Sequence, residues 1–565
     1  MYNFSQVYSY LKKLFYAFQN NRLQIFFLFF FFLLISLLDL IGLSLLPIFF
    51  SEIFSFSDEL NYIPFNIDIY FNNKFLIYFL FIALILRTII AIFSNYLIIS
   101  IVNIKANHIR VKLFYSYFNI QSFYNSKKKL SDKILNIEKY VDDYMVSLNS
   151  LFRILNDLVI SLVILIFLFF QNFYVTFFST IFFALLLLVY FKFFIKRNIK
   201  YGIKKNISLS KLITLTKNVF ENIKEVKSYF LKKYFTSIFS NHSLSIKSLN
   251  IKSTMITTSP KYIFESIFLF SLILMFITFI ILNIDLKTFF PFLIMVLYAA
   301  TKIIPMINQF VASLSNILNR SNSLDLIYKE LILSNENKFD DELSENFDYD
   351  EIILRNINYE NSDGIIFNNA QFSFKKNQVI GLFGPSGSGK TTLIDILLGY
   401  VKLDKIDFII TKDNHEVSIN DINNISSFTS NNSLFVNSTI FENITFSKID
   451  KFKLEKVNSI MEIVEFRNYV DNLPNKLLDI IDEDAKNYSE GQKQRIAVAR
   501  SLFFNKKIII FDEALSLLDE ISQKNIIKNI KKNLTDQTLI IISHNLELQK
   551  YCDVNYEIKN KKIIT

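Results

Sequence analysis

The chain has 565 residues, 52% of them hydrophobic and 16% aromatic, and a formal net charge of +10 at pH 7. That length exceeds one ordinary domain, and so apolar a composition argues against a wholly soluble protein. The basic residues stand beside apolar runs rather than in one continuous patch, which argues against nucleic acid as a partner, and a lone cysteine, Cys552, excludes an intrachain disulfide or a thiolate metal cluster built by this chain.

The first element predicted is a helix lying on the membrane surface within residues 1–22, where Tyr8 to Phe18 mixes aromatic side chains with Lys12 and Lys13. Six apolar stretches follow, at residues 25–50, 75–102, 151–170, 173–195, 262–283 and 289–314. Each reaches roughly the 20 residues that a helix needs to cross a hydrocarbon core of about 30 Å. The first is longer than a signal-peptide core and lacks a small-residue cleavage site after it, so it reads as a retained membrane helix. Residues 23–330 are therefore expected to form a six-helix transmembrane domain.

Orientation follows from the distribution of Lys and Arg. Lys12, Lys13 and Arg22 precede the first span, Lys105, Arg110, Lys112, Lys127, Lys128, Lys129 and Lys133 lie between the second and third, and Lys192, Lys196, Arg197, Lys200, Lys204 and Lys205 follow the fourth. The opposite connections hold Glu52, Asp58, Glu59 and Asp68 against Lys74, and Asp285 beside Lys287. The basic side faces the cytoplasm, which places both termini there. The two longest cytoplasmic connections keep helical periodicity, as in Leu113, Tyr117 and Ile120, then Val219, Ile223, Val226 and Phe230, so the membrane helices are expected to continue into the cytosol.

Ionisable residues inside apolar runs are functional hypotheses by default. Asp39 and Arg87 lie at similar depth in the first two spans and read as a mutually neutralising pair. Lys302, just before Pro305 in the sixth span, has no evident acidic partner at that depth. An anionic substrate, a water-filled cavity or a buried partner would each account for it, and Lys302 and Arg87 are the candidate substrate contacts.

A linker at residues 331–348 leads to a region, 349–565, of short apolar runs separated by turns and charged helices, the pattern of an α/β domain. Gln378 to Phe383 reads as a strand. It is followed by Gly384, Pro385, Ser386, Gly387, Ser388, Gly389, Lys390, Thr391 and Thr392, a G-x-x-x-x-G-K-T phosphate loop opening a helix. Only nine glycines occur in the chain, so three within this loop are not a compositional accident. Glycine lets successive N–H groups converge on phosphate oxygens at a helix N-terminus; Lys390 neutralises β- and γ-phosphate charge, and the Thr391 hydroxyl ligates Mg²⁺. Further on, Lys507 to Phe511 is an apolar strand ending in Asp512 and Glu513. Asp512 suits the Mg²⁺ shell, and Glu513 suits polarisation of an attacking water.

Tyr488-Ser489-Glu490-Gly491-Gln492 resembles the signature of ABC ATPases, and with the motifs on either side the whole chain is similar to an ABC transporter of the exporter type. That resemblance implies an α-helical six-span membrane domain followed by an α/β P-loop ABC ATPase domain, in the bacterial inner membrane, using ATP and Mg²⁺. It implies that Ser489, Glu490, Gly491 and Gln492 face the nucleotide held by a second half-transporter, a homodimer being preferred and a heterodimer the alternative. By the same resemblance His544 is the switch histidine, Asp519 crosses the dimer interface, and Glu483 lies near the membrane-domain loops. Ser122 to Asn125 and Glu221 to Lys224 match the elements that dock on the ATPase domains. Three departures stand out: Asn431 (or Ser430) falls where a metal-contacting glutamine is usual, Glu490 replaces a glycine, and the adenine-stacking tyrosine falls on Asn361, leaving Tyr359 as the nearest aromatic. Asp39 to Pro47, Ala300 to Asn308 and Leu324 to Glu330 resemble bacterial flippases for lipid-linked oligosaccharides. An amphipathic, anionic lipid-linked substrate is the cargo that this implies. Another lipid, a peptide or a drug-like molecule is the alternative.

Overall fold

The computed structural model describes residues 4–16, 22–53, 73–118, 130–171, 173–281, 286–336, 348–361, 364–401, 407–411, 419–482 and 485–564. The chain divides into two compact units near residue 338, each taken separately below.

Among the described residues the first unit is built of helices joined by short turns. Its elements are α1 (Phe4–Phe15), α2 (Arg22–Ile53), α3 (Asn73–Ser116), α4 (Leu130–Leu135), a π-helical turn (Asn136–Tyr140) running into α5 (Val141–Gln171), α6 (Phe173–Glu221), α7 (Ile223–Ser228), α8 (Lys232–Ile281), α9 (Leu286–Asn319) and α10 (Ser321–Glu336). Isoleucine and phenylalanine dominate these runs and favour strands in water. In lipid the backbone must satisfy its own hydrogen bonds, and a continuous helix does so within one segment. Among the described residues five helical stretches are long and apolar enough to cross a membrane: Leu23–Leu45, Tyr78–Ser116, Asp132–Gln171, Thr176–Glu221 and Leu293–Asn319. The remaining run expected, the fifth at 262–283, lies on α8, and its last two residues fall outside the described ones. Residues 51–74 and Ser122 to Asn125 lie outside them in whole or in large part.

Helices α3, α6 and α8 have 44, 49 and 50 residues. At 1.5 Å per residue they extend about 65–75 Å, more than twice a hydrocarbon core, so much of each runs on beyond the apolar part. Pro260 sits inside α8. Having no N–H, it leaves the carbonyl of Ile256, one turn earlier, without its helical donor, and the hydroxyl of Tyr190 on α6 donates to that carbonyl instead.

Where α9 gives way to α10, a knot of polar side chains joins five helices. The Asn198 amide donates to the Ser315 carbonyl at 2.9 Å, Ser253 donates to Asn198 at 2.8 Å, and Asn319 donates to Ser253 at 2.6 Å. On the α5 side, Arg320 and Ser323 both donate to Asp143, at 3.0 and 2.7 Å. Gly202 permits this approach, because a Cβ there would lie 1.9 Å from the Asn319 carbonyl oxygen. The surface helix α1 is fastened to α10 by Lys13 Nζ on Asp325 at 2.6 Å and to α5 by the Tyr144 hydroxyl, which donates to the Leu14 carbonyl at 2.9 Å.

The second unit contains β1 (Glu351–Asn361), β2 (Gly364–Lys375), β3 (Val379–Phe383), α11 (Lys390–Leu397), β4 (Asp407–Thr411), α12 (Ile419–Ile425), β5 (Ser426–Ser430), β6 (Ser438–Thr439), α13 (Ile440–Thr445), α14 (Lys451–Ile463), α15 (Arg467–Asp471), β7 (Ile480–Ile481), α16 (Glu490–Phe503), β8 (Ile508–Asp512), α17 (Glu520–Asn533), β9 (Thr538–Ile542), β10 (Val554–Lys559) and β11 (Lys562–Ile564). An antiparallel sheet orders β2-β1-β4, and a six-stranded sheet orders β11-β10-β3-β9-β8-β5, parallel except for β11. Strands β3 and β9 are buried along their whole length, as continuous runs such as Leu539-Ile-Ile-Ile542 require when both faces are covered. One face of the sheet packs on α13, α14, α16 and α17 through residues such as Phe441, Met461, Val498 and Ile527; the other packs on α11 and the antiparallel sheet through Leu393, Leu397, Phe367 and Phe372.

The register positions the chemistry. Leu382 pairs with Ile542, Ile542 with Asp512, and Asp512 with Ser430, so four neighbouring strands end at one level. The segments that follow them, carrying the phosphate loop, His544, Glu513 and Asn431, converge on the crevice at the carboxyl edge of the sheet, where open α/β sheets bind ligands.

Candidate functional site

The phosphate loop leaves β3 at Gly384 and enters α11 at Lys390. Gly387 and Gly389 hold φ of +78° and +106°, a region that costs L-residues steric strain, and a Cβ at Gly389 would also lie 2.7 Å from Ile366. The loop thereby turns back over the first N–H groups of α11, which have no helical partners. Two features suit it to an anion. Ser388 Oγ is buried without a hydrogen-bond partner among the described residues. The Lys390 ammonium, largely buried, is held over the loop by the carbonyls of Gly384 and Pro385 at 2.8 and 2.9 Å. Burial lowers the Lys390 pKa, while the charges of Glu513 and Asp512 oppose that shift. A phosphate would supply the counter-charge that neutral carbonyls do not.

Thr391 Oγ1 donates to Asp512 Oδ2 at 3.2 Å. Burial, with the Glu513 charge adding to it, pushes the Asp512 carboxyl above the usual carboxylate range; the Thr391 hydrogen bond and Lys390 pull the other way. A half-buried acid whose charge is incompletely compensated, beside a hydroxyl and a loop shaped for phosphate, is the hard-oxygen donor set that suits Mg²⁺. Glu513 follows with φ +54°, a left-handed conformation rare for a non-glycine residue and characteristic of functional positions. Its N–H donates to the Ile542 carbonyl at 3.1 Å, which ties it to the end of β9, and its carboxylate contacts His544 Nε2. A carboxylate and an imidazole in contact at the mouth of the crevice can accept and hold a proton taken from a water.

Other residues proposed from the sequence have defined places. Ser489 caps α16: its hydroxyl accepts from the Gln492 N–H at 3.3 Å, and Gln492 Oε1 accepts from the Ser489 N–H at 2.8 Å, a capping box that fixes this helix N-terminus. Glu490 forms an ion pair with Lys493 at 3.0 Å, so the acid that replaces a glycine carries its own counter-charge. Gly491 abuts Leu518. Asp519 caps α17 through the Ser522 N–H at 2.9 Å, which holds its carboxyl below the usual range. Tyr359, half-buried, pairs across strands with Phe367, whose ring borders Gly389, while Asn361 ends β1. Pro385, Ser386 and Thr392 lie in the loop and first turn as the spacing requires. Glu483 lies outside the described residues.

For two of the expected residues the structure supplies partners that spacing did not name. Lys302 has an acidic partner: its ammonium reaches Asp39 Oδ1 at 2.9 Å, while Arg87 donates to both oxygens of the same carboxylate at 3.1 and 3.4 Å. Asp39 is therefore shared by two cations rather than matched to Arg87 alone. A buried partner, one of the three alternatives for Lys302, is thus present; spacing does not identify it because α9 meets α2 only after the chain has folded across four other spans. Asn431, a candidate metal contact, follows β5 with its N–H on the Asp512 carbonyl at 3.1 Å, and its side-chain oxygen accepts from Gln494 at 3.1 Å.

Two residues of the site escaped the sequence reading. Arg500 on α16 lies between the rings of Phe435 and Phe446 and donates to the carbonyls of Asn443 and Leu434, fastening the segment beyond Asn431; burial lowers its pKa to about 10. Asp395, one turn after Thr391 on α11, has its pKa pushed up to about 6 by burial, with Asp512 adding in the same direction. A folded-state pKa above the unfolded value of about 3.9 means that the native state holds this proton more tightly. The contribution of Asp395 to stability is thus fully present below about pH 4 and is lost as pH rises through about 6. Asp395→Asn is expected to stabilise the second unit at pH 8 by on the order of 1 kcal/mol, the gain shrinking toward pH 5, as thermal unfolding at the two pH values will show.

Residues 367–516 match the family model described as ABC transporter. Among curated proteins, a lacticin-481/lactococcin-DR transport/processing ATP-binding protein of Lactococcus lactis is 34% identical over 241 residues, 42% of this chain and 33% of that one. An ATP-dependent lipid A-core flippase of Coxiella burnetii is 32% identical over 203 residues, 34% of this chain and 33% of that one. The chain thus spans about a third of the length of these relatives. A solved structure of a bacterial Atm1-family ABC exporter with ATP bound matches 96% of this chain and 94% of that one, with a TM-score of 0.78 and 16% identity. The fold is that of an ABC exporter: a helical membrane domain followed by a P-loop ATPase domain.

Proposed function

We propose that this chain is one half of a dimeric ABC transporter that hydrolyses ATP to export or flip an amphipathic, anionic substrate across a bacterial inner membrane, most concretely a lipid-linked oligosaccharide. The observation that carries the proposal is the convergence, at one sheet edge, of Lys390, the Thr391–Asp512 pair and the Glu513–His544 pair, in a chain that also carries at least five membrane-length apolar helices. Lys390 and the loop amides bind the phosphates, Thr391 and Asp512 hold Mg²⁺, and Glu513 takes the proton of the attacking water while His544 positions it. Bound Mg²⁺ supplies charge neutralisation between the phosphates.

The N-terminus of α16 and the phosphate loop of one domain cannot serve the same nucleotide, so two copies sandwiching two ATP molecules is the assembly in which Ser489 and Gly491 act. The Lys and Arg distribution supports a cytoplasmic ATPase domain with both termini on that side.

Two features of the first unit support the substrate class. Asp39, Arg87 and Lys302 sum to one net positive charge, and the Lys302 ammonium lies 5.4 Å from the ring centre of Tyr298, whose hydroxyl is buried without a hydrogen-bond partner among the described residues. An anionic headgroup would meet both the surplus charge and that hydroxyl. A cavity of about 580 Å³ lies between α5, α6, α8 and α9, walled by Leu165, Leu187, Phe268, Leu272 and Ile303, and it suits an aliphatic chain. The lipid A-core flippase among the relatives agrees with a lipid cargo. The lactococcal relative, a lacticin-481/lactococcin-DR transport/processing protein, favours a peptide exporter as the second reading.

In lipid nanodiscs, a polyprenyl-pyrophosphate glycan is expected to raise ATPase activity several-fold in the wild type and not in Lys302→Ala. Stimulation by a peptide and none by the glycan would move the assignment to the second reading. Absence of Mg²⁺-dependent ATP hydrolysis would remove both.

A further inference from the structure

Among the buried polar groups left outside the chemistry above, Gln494 joins the Asn431 segment to the turn after Glu513. It lies on α16, five residues after the cap Ser489, and is 3% exposed. Its Oε1 accepts from the Leu517 N–H at 3.0 Å; its Nε2 donates to Asn431 Oδ1 at 3.1 Å and to Ser516 Oγ at 3.4 Å. The directions of these bonds are not interchangeable. A backbone N–H can only donate, so Leu517 fixes which end of the Gln494 amide is oxygen. That fixes the nitrogen toward Asn431, which in turn fixes Asn431 with its oxygen, not its NH₂, toward Gln494. Asn431 is also held by its own N–H on the Asp512 carbonyl at 3.1 Å.

We infer that Gln494 is a positioning residue that sets the orientation of the Asn431 side chain and couples it to the Ser516–Leu517 turn. This rests on the ATPase reading above. The Asn431 oxygen is the atom of that residue able to contact a divalent cation, and Gln494 occupies one of its two lone-pair directions. Asparagine is one methylene shorter than glutamine, so drawing this oxygen toward Thr391 and Asp512 stretches the bond to Gln494. The pull passes through one rigid amide to the Leu517 N–H and the turn leading to Asp519. Closure around a cation at Asn431 and the shape of the segment from Ser516 to Asp519 are thereby linked through a single buried group. Arg500, two turns further along α16, anchors the other end of the Asn431 segment, so that displacement concentrates at Asn431.

The test uses the full chain in nanodiscs, with two variants and two measurements. Gln494→Leu removes both ends of the link; Gln494→Glu, of the same shape, keeps an acceptor for Leu517 but sets a carboxylate against the Asn431 oxygen. In Gln494→Leu, hydrogen exchange of the peptide containing Leu517 is expected to speed up by about tenfold, the value of one buried hydrogen bond, and in Gln494→Glu to stay near the wild-type rate. Both variants are expected to raise, several-fold, the Mg²⁺ concentration that half-saturates nucleotide binding, read with a fluorescent ATP analogue. Addition of Mg²⁺ and the analogue is expected to change Leu517 exchange in the wild type and not in Gln494→Leu. If the wild type binds the analogue and the variants show the wild-type Mg²⁺ dependence, Gln494 only packs the domain and the inference is overturned. If the wild type itself fails to bind the analogue with Mg²⁺, the ATPase reading falls, and this inference with it.

Discussion

Glu513→Gln is expected to lower the rate of phosphate release by 10²- to 10⁴-fold, the span that general-base catalysis contributes, while leaving ATP binding intact. The amide is isosteric with the carboxylate, keeps the left-handed backbone position at φ +54° and the bond from its N–H to Ile542, and can still lie against His544. It cannot accept the proton of the attacking water. Lys390, Thr391 and Asp512 are untouched, so nucleotide is expected to accumulate uncleaved on the protein. The check is twofold: release of inorganic phosphate from nanodisc-embedded protein, and retention of radiolabelled ATP through rapid gel filtration. Phosphate release at the wild-type rate would show that Glu513 is not the base. Loss of retention would show that the variant had disturbed the site rather than its chemistry.

Asp39→Asn is expected to be the most destabilising single change in the membrane unit, by about 3 kcal/mol or more. Asp39 is 1% exposed and compensates both Arg87 and Lys302. Without its charge two cations face each other in apolar surroundings, where neither has water to turn to. Thermal unfolding in detergent or nanodiscs should register the loss as a lowered midpoint. The triple variant Asp39→Leu/Arg87→Met/Lys302→Met separates stability from substrate handling: apolar side chains of similar volume should restore the midpoint while glycan stimulation stays absent. A midpoint unchanged in Asp39→Asn would mean that this carboxylate does not hold the two cations in the working protein. Restored glycan stimulation in the triple variant would remove the cluster from the substrate path.

The parts of the site that were legible in the sequence are those whose chemistry is contiguous. A phosphate loop works through consecutive N–H groups and glycines at set positions, so Gly384 to Thr391 announce themselves in one line of residues and the structure places them between β3 and α11. The same holds for Asp512 and Glu513, adjacent at the end of an apolar run, and for the cap Ser489 three residues before its reciprocal partner Gln492. Membrane helices are legible for a related reason: apolar length alone decides whether a segment can satisfy its backbone within lipid.

What escaped notice depends on contacts between distant residues. Lys302 finds Asp39 across 263 residues, Asn198 finds Ser315 across 117, and Gln494 finds Asn431 across 63. No periodicity marks any of these pairs, because each is fixed by which helices happen to be neighbours and by side-chain directions a few ångströms apart. The Tyr190 hydroxyl on the carbonyl freed by Pro260 is of the same kind: the proline predicts an orphaned carbonyl, and only packing of α6 on α8 says what answers it.

The sequence by itself determined that this chain joins membrane-length helices to a phosphate-loop domain and which residues are the candidates for phosphate, metal and water, since local spacing and composition dictate those properties. Tertiary structure alone decided that the lone lysine of the last span is one of two cations sharing a carboxylate, and that a buried glutamine sits between Asn431 and the turn after Glu513. The physical reason is the same in both cases: a buried charge or amide is costly until it finds a partner, and the partner is chosen by three-dimensional proximity, on which sequence spacing is silent.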